Sequence, residues 1–374
     1  MLSYWEKDLY HQKYDHLIIG AGFNGLWLAY FLKTKSPNLK IAIVERGNLS
    51  QGASTKNAGF ACFGSPSELV ENIANIGLDQ TFYWTEKRFK GIELIKKHFG
   101  NKIDYLPSGA SELFGSKAEF ETYNAQINEL NKHLALITGK SENFFIDKNL
   151  STTCGFKGLE YAISNTTEGA IHPAKLLHEL YNFLVFNGVN IFKNCEVESF
   201  EEYTNEVLVK TNTLGELSAG YLNICTNAFT QKLLPELRIK PGRGQVLITE
   251  PINGFNWNRI FHMDKGFVYF RNVNDRILIG GARNMDFETE TSFDFELNQT
   301  IQQHLEKILT NNILPEKAFK IEHRWTGIMA FTEDHIPISK MYSPRIALNV
   351  AMNGMGVALA PILANELAEK YLKT

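Results

Sequence analysis

This sequence has few cysteines, no long apolar runs and almost no excess of one charge over the other. The four cysteines, Cys62, Cys154, Cys195 and Cys225, show no C-x-x-C spacing, so we expect reduced thiols and neither a disulfide framework nor a metal site. No apolar run approaches the ~20 residues of a membrane span, and residues 1–15 lack the apolar core of a signal peptide. We therefore expect a cytoplasmic protein without a membrane span. A net charge of -3 argues against nucleic acid as the default partner.

Internal repeats, low-complexity tracts and linkers rich in proline or serine are also absent, so nothing marks a boundary between domains in series. The 374 residues are enough for two domains of about 150 residues each, and a hydrophobic content of 44% supports a sizeable core. We expect an ordinary globular protein whose domains are interleaved along the chain.

The most informative segment is a glycine-rich turn, GAGFNG at 20–25. A short apolar run precedes it, a helical pattern follows, and a second apolar run ends at Glu45, which predicts the strand, turn, helix and strand of a dinucleotide-binding fold. Gly20 permits the sharp turn, Gly22 allows the backbone to approach a pyrophosphate, and Gly25 lets helix and strand pack closely. Glu45 lies where a ribose hydroxyl is expected. The alternative is a glycine-rich turn in another kind of α/β protein.

A second glycine turn, Asn353-Gly354-Met355-Gly356, separates a predicted strand from a helix over about 357–371. Leu359 stands where a third small residue is needed, so this turn is a poor second fingerprint. The helix N-terminus can direct its partial positive charge at a flavin ring carbonyl, unless it is simply the start of a C-terminal helix. No second G-x-G-x-x-G is present for a nicotinamide donor. FAD is therefore favoured over NAD, with the organic substrate itself as the reductant.

A set of short motifs, spread over nearly the whole chain, resembles one known family when taken together. The motifs are the turn at 20–25 with Glu45, Gly52-Ala53-Ser54 with Asn57-Ala58-Gly59, Ile171-His172-Pro173, Thr226-Asn227-Ala228, Pro241-Gly242-Arg243-Gly244-Gln245, Gly280-Gly281, Trp325-Thr326-Gly327 with Asp334 and Pro337, and Gly354-Met355-Gly356-Val357. They resemble the D-amino-acid oxidase (DAO) family of FAD-dependent oxidoreductases. This family includes glycine, sarcosine and γ-glutamylputrescine oxidases.

The resemblance implies a mixed α/β (α+β) fold in which two domains alternate along the chain. A Rossmann-like FAD-binding domain is expected from residues 1–80, 150–235 and 318–374. A substrate-binding domain, whose antiparallel sheet covers the flavin, is expected from residues 81–149 and 236–317.

The resemblance also implies where FAD is held. The adenosine and pyrophosphate are assigned to Gly20, Gly22, Gly25, Glu45 and Arg46. The residues assigned to the ribityl chain and ring are Ser54, Thr55, Lys56, Asn57, Ala58, Gly59, Thr226, Asn227, Gly327, Gly354, Met355, Gly356 and Val357. The cysteine that tethers the flavin of sarcosine oxidases has no counterpart near Gly327, so we expect the FAD to be non-covalent.

The implied reaction is oxidation of a C–N bond, in which hydride passes from the carbon beside a neutral amine to flavin N5. Water then hydrolyses the resulting imine. Amino-acid oxidases of the family clamp the substrate carboxylate with an arginine where this chain has Met329, and methionine cannot replace it. Sarcosine oxidases place a lysine in the final turn, where this chain has Met355 and Ala358. Their oxygen-activating lysine aligns with Leu278.

These departures argue against a simple α-amino acid as substrate. An amine whose carboxylate, if present, lies far from the reacting carbon fits better, as in the γ-glutamylputrescine oxidase branch. The sequence leaves open whether O2 or another carrier accepts the electrons.

No catalytic residue is assigned from the sequence, although five polar side chains are candidates for facing the substrate: Lys56, His262, Tyr269, Arg271 and Arg243. Each also has a structural interpretation. Lys56 would contact only the cofactor, Arg243 would brace the neighbouring turn, and His262 and Tyr269 would be ordinary sheet residues. A dedicated general base is not required if the amine binds in its neutral form.

The predicted function is therefore an FAD-dependent oxidoreductase acting on a small-molecule amine or amino-acid derivative. One alternative is a tRNA-modifying flavoenzyme related to the oxidase half of the bifunctional enzyme MnmC. The slightly acidic composition and the absence of a methyltransferase domain count against it. Another alternative is a flavin-binding protein without turnover, which the missing carboxylate clamp keeps open.

Overall fold

The computed structural model describes residues 3–254 and 257–373, which form two eight-stranded sheets and a short two-stranded pair. The strands are β1 (Tyr14–Ile19), β2 (Ile41–Val44), β3 (Phe60–Ala61), β4 (Ala110–Phe114), β5 (Phe145–Ile146), β6 (Tyr161–Asn165), β7 (Gly169–Ala170), β8 (Asn190–Phe192), β9 (Val197–Glu202), β10 (Val207–Thr211), β11 (Gly215–Ile224), β12 (Lys240–Thr249), β13 (Ile260–Met263), β14 (Val268–Val273), β15 (Arg276–Gly281), β16 (Ile321–Phe331), β17 (Ile338–Met341) and β18 (Ile346–Val350). The helices are α1 (Tyr4–Tyr10), α2 (Phe23–Lys35), α3 (Pro66–Ile76), α4 (Leu78–Phe99), α5 (Lys117–Asn124), α6 (Ile127–Thr138), α7 (Leu150–Cys154), α8 (Pro173–Phe186), α9 (Gln299–Ile308) and α10 (Gly356–Tyr371).

The first sheet is Rossmann-like and has the strand order β17-β18-β11-β1-β2-β8. Its strands from β18 to β8 are parallel, while β17 is antiparallel at one edge and β9 and β10 extend the sheet from β11. Both faces of a parallel sheet are normally covered, which explains why β1 and β2 are short, nearly continuous apolar runs. Helices α2 and α10 pack on one face, with Trp27 fully buried between sheet and helices. The predicted strand, glycine turn, helix and strand are confirmed.

The second sheet has the order β16-β12-β15-β14-β13-β4-β6-β5. Its neighbouring strands are antiparallel except β4 and β13, which pair in parallel. A tight turn at Asn274 and Asp275, both left-handed, joins β14 to β15 as in a two-residue hairpin. The expected antiparallel sheet is therefore present, with one parallel exception.

Two strands lie in a different sheet from the one that the predicted domain segments suggest. Strand β6 falls within segment 150–235 and β16 within segment 318–374, yet both pair in the second sheet. The physical reason is a long ladder: β16 follows β12 from Phe331, opposite Lys240, to Ile321, opposite Thr249. Apart from this correction, the domain boundaries stay a prediction.

Strand β16 links the two sheets because its two faces have different neighbours. Ile328 and Ala330 are buried in the apolar core beneath the first sheet, beside residues of β1, β11 and β18. Side chains alternate along a strand, so Gly327, Met329 and Phe331 face the other way. Within residues 3–254 and 257–373, no helix has the length and apolar character needed to cross a membrane.

We predict that His16, buried on β1, makes the protein less stable in mild acid. Its ring stacks on Tyr221 and meets Tyr371 edge-on, and burial lowers the pKa of His16 to about 4. The unfolded chain binds a proton near pH 6.5, so this stabilising contribution is present above that pH and is lost as the pH falls towards 4. The expected loss is about 2 kcal/mol of unfolding free energy between pH 7 and pH 5.

Urea titrations at several pH values test this expectation with His16→Gln and the matched control His178→Gln, since His178 is exposed. The slope of unfolding free energy against pH should become shallower in the first variant and stay unchanged in the second. Equal slopes in all three proteins would contradict the assignment.

Candidate functional site

The glycine turn between β1 and α2 depends on two positions that accept no side chain. Gly20 has φ +103°, and a Cβ added there would stand 2.8 Å from the carbonyl oxygen of Cys225. A Cβ on Gly25 would stand 2.0 Å from the carbonyl oxygen of Gly20. The turn is therefore tight because helix, strand and the end of β11 approach one another at backbone distance.

Two polar side chains complete this turn. The Ser54 hydroxyl accepts a hydrogen bond from the Phe23 N–H (2.9 Å) at the start of α2. The buried Glu45 carboxylate accepts from the Ala21 N–H (2.9 Å) through one oxygen and from the Gly47 N–H (3.0 Å) through the other. Each carboxylate oxygen keeps a lone pair for a further donor, such as a ribose hydroxyl.

A first cavity, of about 560 Å³, opens at this turn. Arg46 lies at one end, with its guanidinium 3.7 Å from the centre of the Phe229 ring. The cavity combines a glycine turn, a helix N-terminus and an acidic side chain, an arrangement that suits a dinucleotide. The predicted cofactor residues that line it are Gly20, Gly22, Glu45, Arg46, Ser54, Asn57, Thr226, Asn227, Gly354, Gly356 and Val357.

The turn between β18 and α10 closes the other end of this cavity. Ala351, Asn353 and Gly354 all have left-handed backbone conformations. The Asn227 amide oxygen accepts from the Ala351 N–H (3.2 Å), and the Asn353 amide oxygen accepts from the Thr332 N–H (2.9 Å). Helix α10 begins at Gly356, one residue before the predicted start, and no side chain of the described residues caps it, so the N–H groups of its first turn remain available to a ligand.

A second cavity, of about 790 Å³, meets the first where residues of the two turns and β16 come together. The residues common to both are Ala53, Asn57, Met329, Met352, Asn353, Gly354 and Val357. Lys56, Ala58, Gly327 and Met355, from the predicted cofactor set, line only the second cavity. A planar ring at the junction would be accessible from the second cavity while its chain occupied the first.

The loop that carries Lys56 is held against β16. The Trp325 indole N–H donates to the Lys56 carbonyl oxygen (2.9 Å), and a Cβ on Gly327 would stand 2.6 Å from the Lys56 Cβ. Asn57 shapes the same loop, because its amide group donates to the Ser54 carbonyl (2.8 Å) and accepts from the Gly59 N–H (2.8 Å). Close packing at Gly327 thus fixes where the loop enters the junction.

Two of the candidate catalytic residues, His262 and Tyr269, lie in the wall of the second cavity. Both rings contact Phe60 edge-on, at centroid distances of 5.2 and 5.6 Å. Burial lowers the pKa of His262 to about 4 and raises the pKa of Tyr269 to about 12. Both side chains are therefore uncharged at neutral pH. The Nε2 atom of His262 is buried and has no hydrogen-bond partner within the described ranges.

The two arginines among the candidate residues, Arg243 and Arg271, line neither cavity. Arg243 donates through Nε and Nη2 to one carboxylate oxygen of the buried Glu290 (3.1 and 2.8 Å), which favours its structural interpretation as a brace. Arg271 donates through Nη1 to the carbonyl oxygens of Ile171 (3.0 Å) and Gly59 (3.2 Å), and burial lowers its pKa to about 10. These carbonyls hold the Arg271 guanidinium, which favours a structural role over a contact with the substrate.

Three predicted cofactor residues, Gly25, Thr55 and Gly59, also line neither cavity. Gly25 packs against Gly20, and a Cβ on Gly59 would stand 2.3 Å from the Ile171 carbonyl oxygen. Gly25 and Gly59 therefore support the local backbone, and nothing in the structure explains a cofactor contact by Thr55.

The cavity walls include residues that the sequence analysis did not assign to a site, among them Met352, Asn353, Trp84 and Arg283. The asparagine immediately precedes a recognised glycine turn, and Arg283 follows a Gly-Gly pair, so these local signals were available. Trp84 lies in the amphipathic helix α4, where an aromatic residue normally indicates packing.

Comparison with known proteins gives one consistent result. The family model described as "FAD dependent oxidoreductase" (DAO) matches residues 15–370. The chain is 24% identical to a probable oxidoreductase OrdL of Rhizobium meliloti, over 96% of this chain and 83% of that protein. It is 23% identical to a gamma-glutamylputrescine oxidoreductase of Escherichia coli, over 95% of this chain and 83% of that protein. Among solved structures, L-proline dehydrogenase from P. horikoshii has a TM-score of 0.79 at 19% identity, covering 97% of this chain and 94% of its own.

We predict that Gly22→Ala and Gly25→Ala have separable effects. The Gly25 methyl group would collide with backbone, so the variant should lose about 1–3 kcal/mol of stability even without cofactor. Gly22 has an ordinary φ of -80° and faces the first cavity, where a methyl group would stand 3.0 Å from Ser54 Oγ. That variant should fold but bind FAD about tenfold more weakly, a cost of about 1.4 kcal/mol.

Thermal melting of the apo-protein and fluorescence titration with FAD measure the two effects separately. Unchanged FAD affinity in Gly22→Ala would argue against pyrophosphate binding at this turn.

Proposed function

This chain belongs to the DAO family of FAD-dependent oxidoreductases, and on that premise we propose that it oxidises the C–N bond of a small amine whose carboxylate, if present, is remote from the reacting carbon. Bound FAD supplies the hydride acceptor, at N5 of its ring, for the hydrogen on the carbon beside the amine. The organic product is an imine, which water hydrolyses to a carbonyl compound and a free amine or ammonia.

The observation that carries this proposal is the junction of the two cavities. Met329, Asn353 and Gly354 line both, so a substrate in the second cavity would meet a ring held at the end of the first. A hydride donor must be positioned against its acceptor at close range, which requires adjoining sites of this kind.

The described wall of the second cavity favours an uncharged amine near the ring. The pKa shifts of His262 and Tyr269 leave one neutral imidazole and one protonated phenol there. Phe60 adds an apolar surface that excludes water. An ammonium group entering this region would lose hydration, so its neutral form is preferred and the nitrogen lone pair is available.

Met329 is the residue that argues for a carboxylate far from the reacting carbon. It faces the junction, and a thioether donates no hydrogen bond, so an α-carboxylate beside the reacting carbon would lack a partner at that place. The similarity to a gamma-glutamylputrescine oxidoreductase supports the same view, since γ-glutamylputrescine has an amine at one end and a carboxylate at the other. A cavity of about 790 Å³ has room for an extended substrate.

Anaerobic mixing of the yellow holoenzyme with an amine panel tests the proposed reaction. The panel includes putrescine, γ-glutamylputrescine, N-methyl amino acids and glycine, and the readout is flavin absorbance near ~450 nm. We expect bleaching by amines with a remote carboxylate and not by glycine. N-acetylated forms of the same compounds are the control, because acetylation removes the amine lone pair. Readmitting air then distinguishes an oxidase from a dehydrogenase.

Flavin that no amine bleaches would contradict amine oxidation by this chain. A tRNA-borne amine would then be tested next, with a non-catalytic flavin protein as the remaining alternative. Bleaching by glycine alone would contradict the remote position of the carboxylate.

We also predict that the pH dependence of flavin reduction is set by the pKa of the substrate amine and not by a group of the protein. The pKa values of His262, about 4, and Tyr269, about 12, lie outside the range from pH 6 to 10, so neither group should titrate in it. The reduction rate should rise with pH, and its midpoint should move with the solution pKa of each amine. Stopped-flow measurements with several amines, repeated in His262→Asn and Tyr269→Phe, check this. A fixed midpoint that disappears in His262→Asn would instead identify His262 as a general base.

A further inference from the structure

Arg283 lies in the wall of the second cavity, on a turn that is held in an unusual conformation. Gly281, at the end of β15, has φ +101°, and Ala282 is also left-handed with φ 56°. The Ala282 N–H donates to the Phe267 carbonyl oxygen (2.6 Å), and a Cβ on Gly281 would collide with that oxygen at 1.9 Å. A left-handed alanine is strained and persists where the surroundings enforce it. This backbone directs the Arg283 side chain across the sheet.

The Arg283 guanidinium is positioned by two aromatic rings and a glycine. Its central carbon lies 4.2 Å from the centre of the Phe331 ring and 4.8 Å from that of Phe287. A Cβ on Gly242 would stand 2.4 Å from the Phe331 ring and 3.0 Å from Nη1, so glycine lets the ring and the guanidinium lie close to β12 at this point. Gly242 pairs with Met329 on β16. From the turn after β15, Arg283 therefore reaches across β12 to Phe331, at the end of β16 and two residues beyond Met329.

The guanidinium has contacts to rings but none to an acceptor. No hydrogen bond or ion pair to Arg283 occurs among residues 3–254 and 257–373, although its side chain is half-buried. The neighbouring acids are engaged elsewhere: Glu290 pairs with Arg243, and Asp286 accepts from Asn298 (2.9 Å). In the part of the chain that the structure describes, every other arginine except Arg46, in the first cavity, has a hydrogen bond or an ion pair. A desolvated guanidinium without an acceptor is costly, which favours an external anion.

We propose that Arg283 binds the carboxylate of the substrate, through the planar edge of its guanidinium, and thereby selects amines that carry a carboxylate on a spacer. This inference rests on the proposed amine oxidation, because it names the part of the substrate that the cavity recognises. The two aromatic rings supply no hydrogen-bond acceptor in the plane of the guanidinium, and the N–H groups of a guanidinium lie in that plane, where they match two carboxylate oxygens.

The location of Arg283 would place a bound carboxylate in the second cavity, away from the reacting carbon at the junction. Met329 lines both cavities, whereas Arg283 lines only the second one. A carboxylate held by Arg283 therefore lies beside Phe331, in the second cavity, and not among the residues that both cavities share. The competing interpretation is that Arg283 only fills the space between Phe287 and Phe331.

Calorimetric titration of the oxidised holoenzyme with 3-phenylpropanoate and 3-phenylpropanamide separates these interpretations, since the two probes differ in charge and not in length. We expect the wild type to bind the carboxylate at least tenfold more tightly than the amide. Arg283→Met should remove this preference without weakening amide binding, and Arg283→Lys should retain part of it. Arg276→Met is the matched control, because Arg276 begins strand β15, which leads to the turn that carries Arg283, pairs with Glu322 and lines neither cavity; it should leave the preference intact.

FAD content and circular dichroism verify that each variant is folded, and Arg283→Gln replaces Arg283→Met if the latter is not. Equal affinities of the wild type for the two probes, no binding of either, or a preference that survives loss of Arg283 would each overturn the proposal. Flavin bleaching by amines is a separate measurement. A carboxylate preference without bleaching would refute amine oxidation alone, and bleaching without the preference would refute the role of Arg283 alone.

Discussion

The site depends on one constraint, the alternation of side chains along β16. Ile328 and Ala330 are held in the core beneath the parallel sheet, so Gly327, Met329 and Phe331 must face the second cavity. The ladder with β12 fixes this register over the whole length of the strand. A slip of one residue would bury the cavity face and expose the core face. One face of β16 therefore packs in the core, and the other face lines the cavity proposed to bind the substrate.

Side-chain amides hold the loops that meet at the junction. Asn57 shapes the loop before β3, Asn227 joins the end of β11 to the end of β18, and Asn353 joins the final turn to β16. The hydrogen bonds of Asn227 and Asn353 link segments that are apart in the sequence, and those of Asn57 hold one loop, so the cavity walls are preorganised before any ligand binds. The arginines divide in a similar way: Arg243 and Arg271 donate to buried protein acceptors, whereas Arg46 and Arg283 contact aromatic rings and have no hydrogen bond or ion pair within the described residues.

Much of the fold was predictable because its signals are local. The turn at 20–25, the acid at Glu45 and the start of α10 are encoded within short segments, and so the cofactor class and the Rossmann-like half follow from the sequence. The sheet that β6 and β16 join was not predictable, because it depends on partners far along the chain. The roles of the two arginines also depend on distant partners. The sequence alone therefore did not distinguish Arg271, which binds backbone carbonyls, from Arg283, which lines a cavity.

The central claim is that FAD lies in the first cavity with its ring at the junction, and a crystal structure of the FAD-loaded protein tests it most directly. We expect density for the adenosine beside Glu45 and Arg46, and for the ring between Ala53, Met329 and Gly354, with one face open to the second cavity. Density that places the ring away from this junction, or the adenosine in the second cavity, would contradict the account.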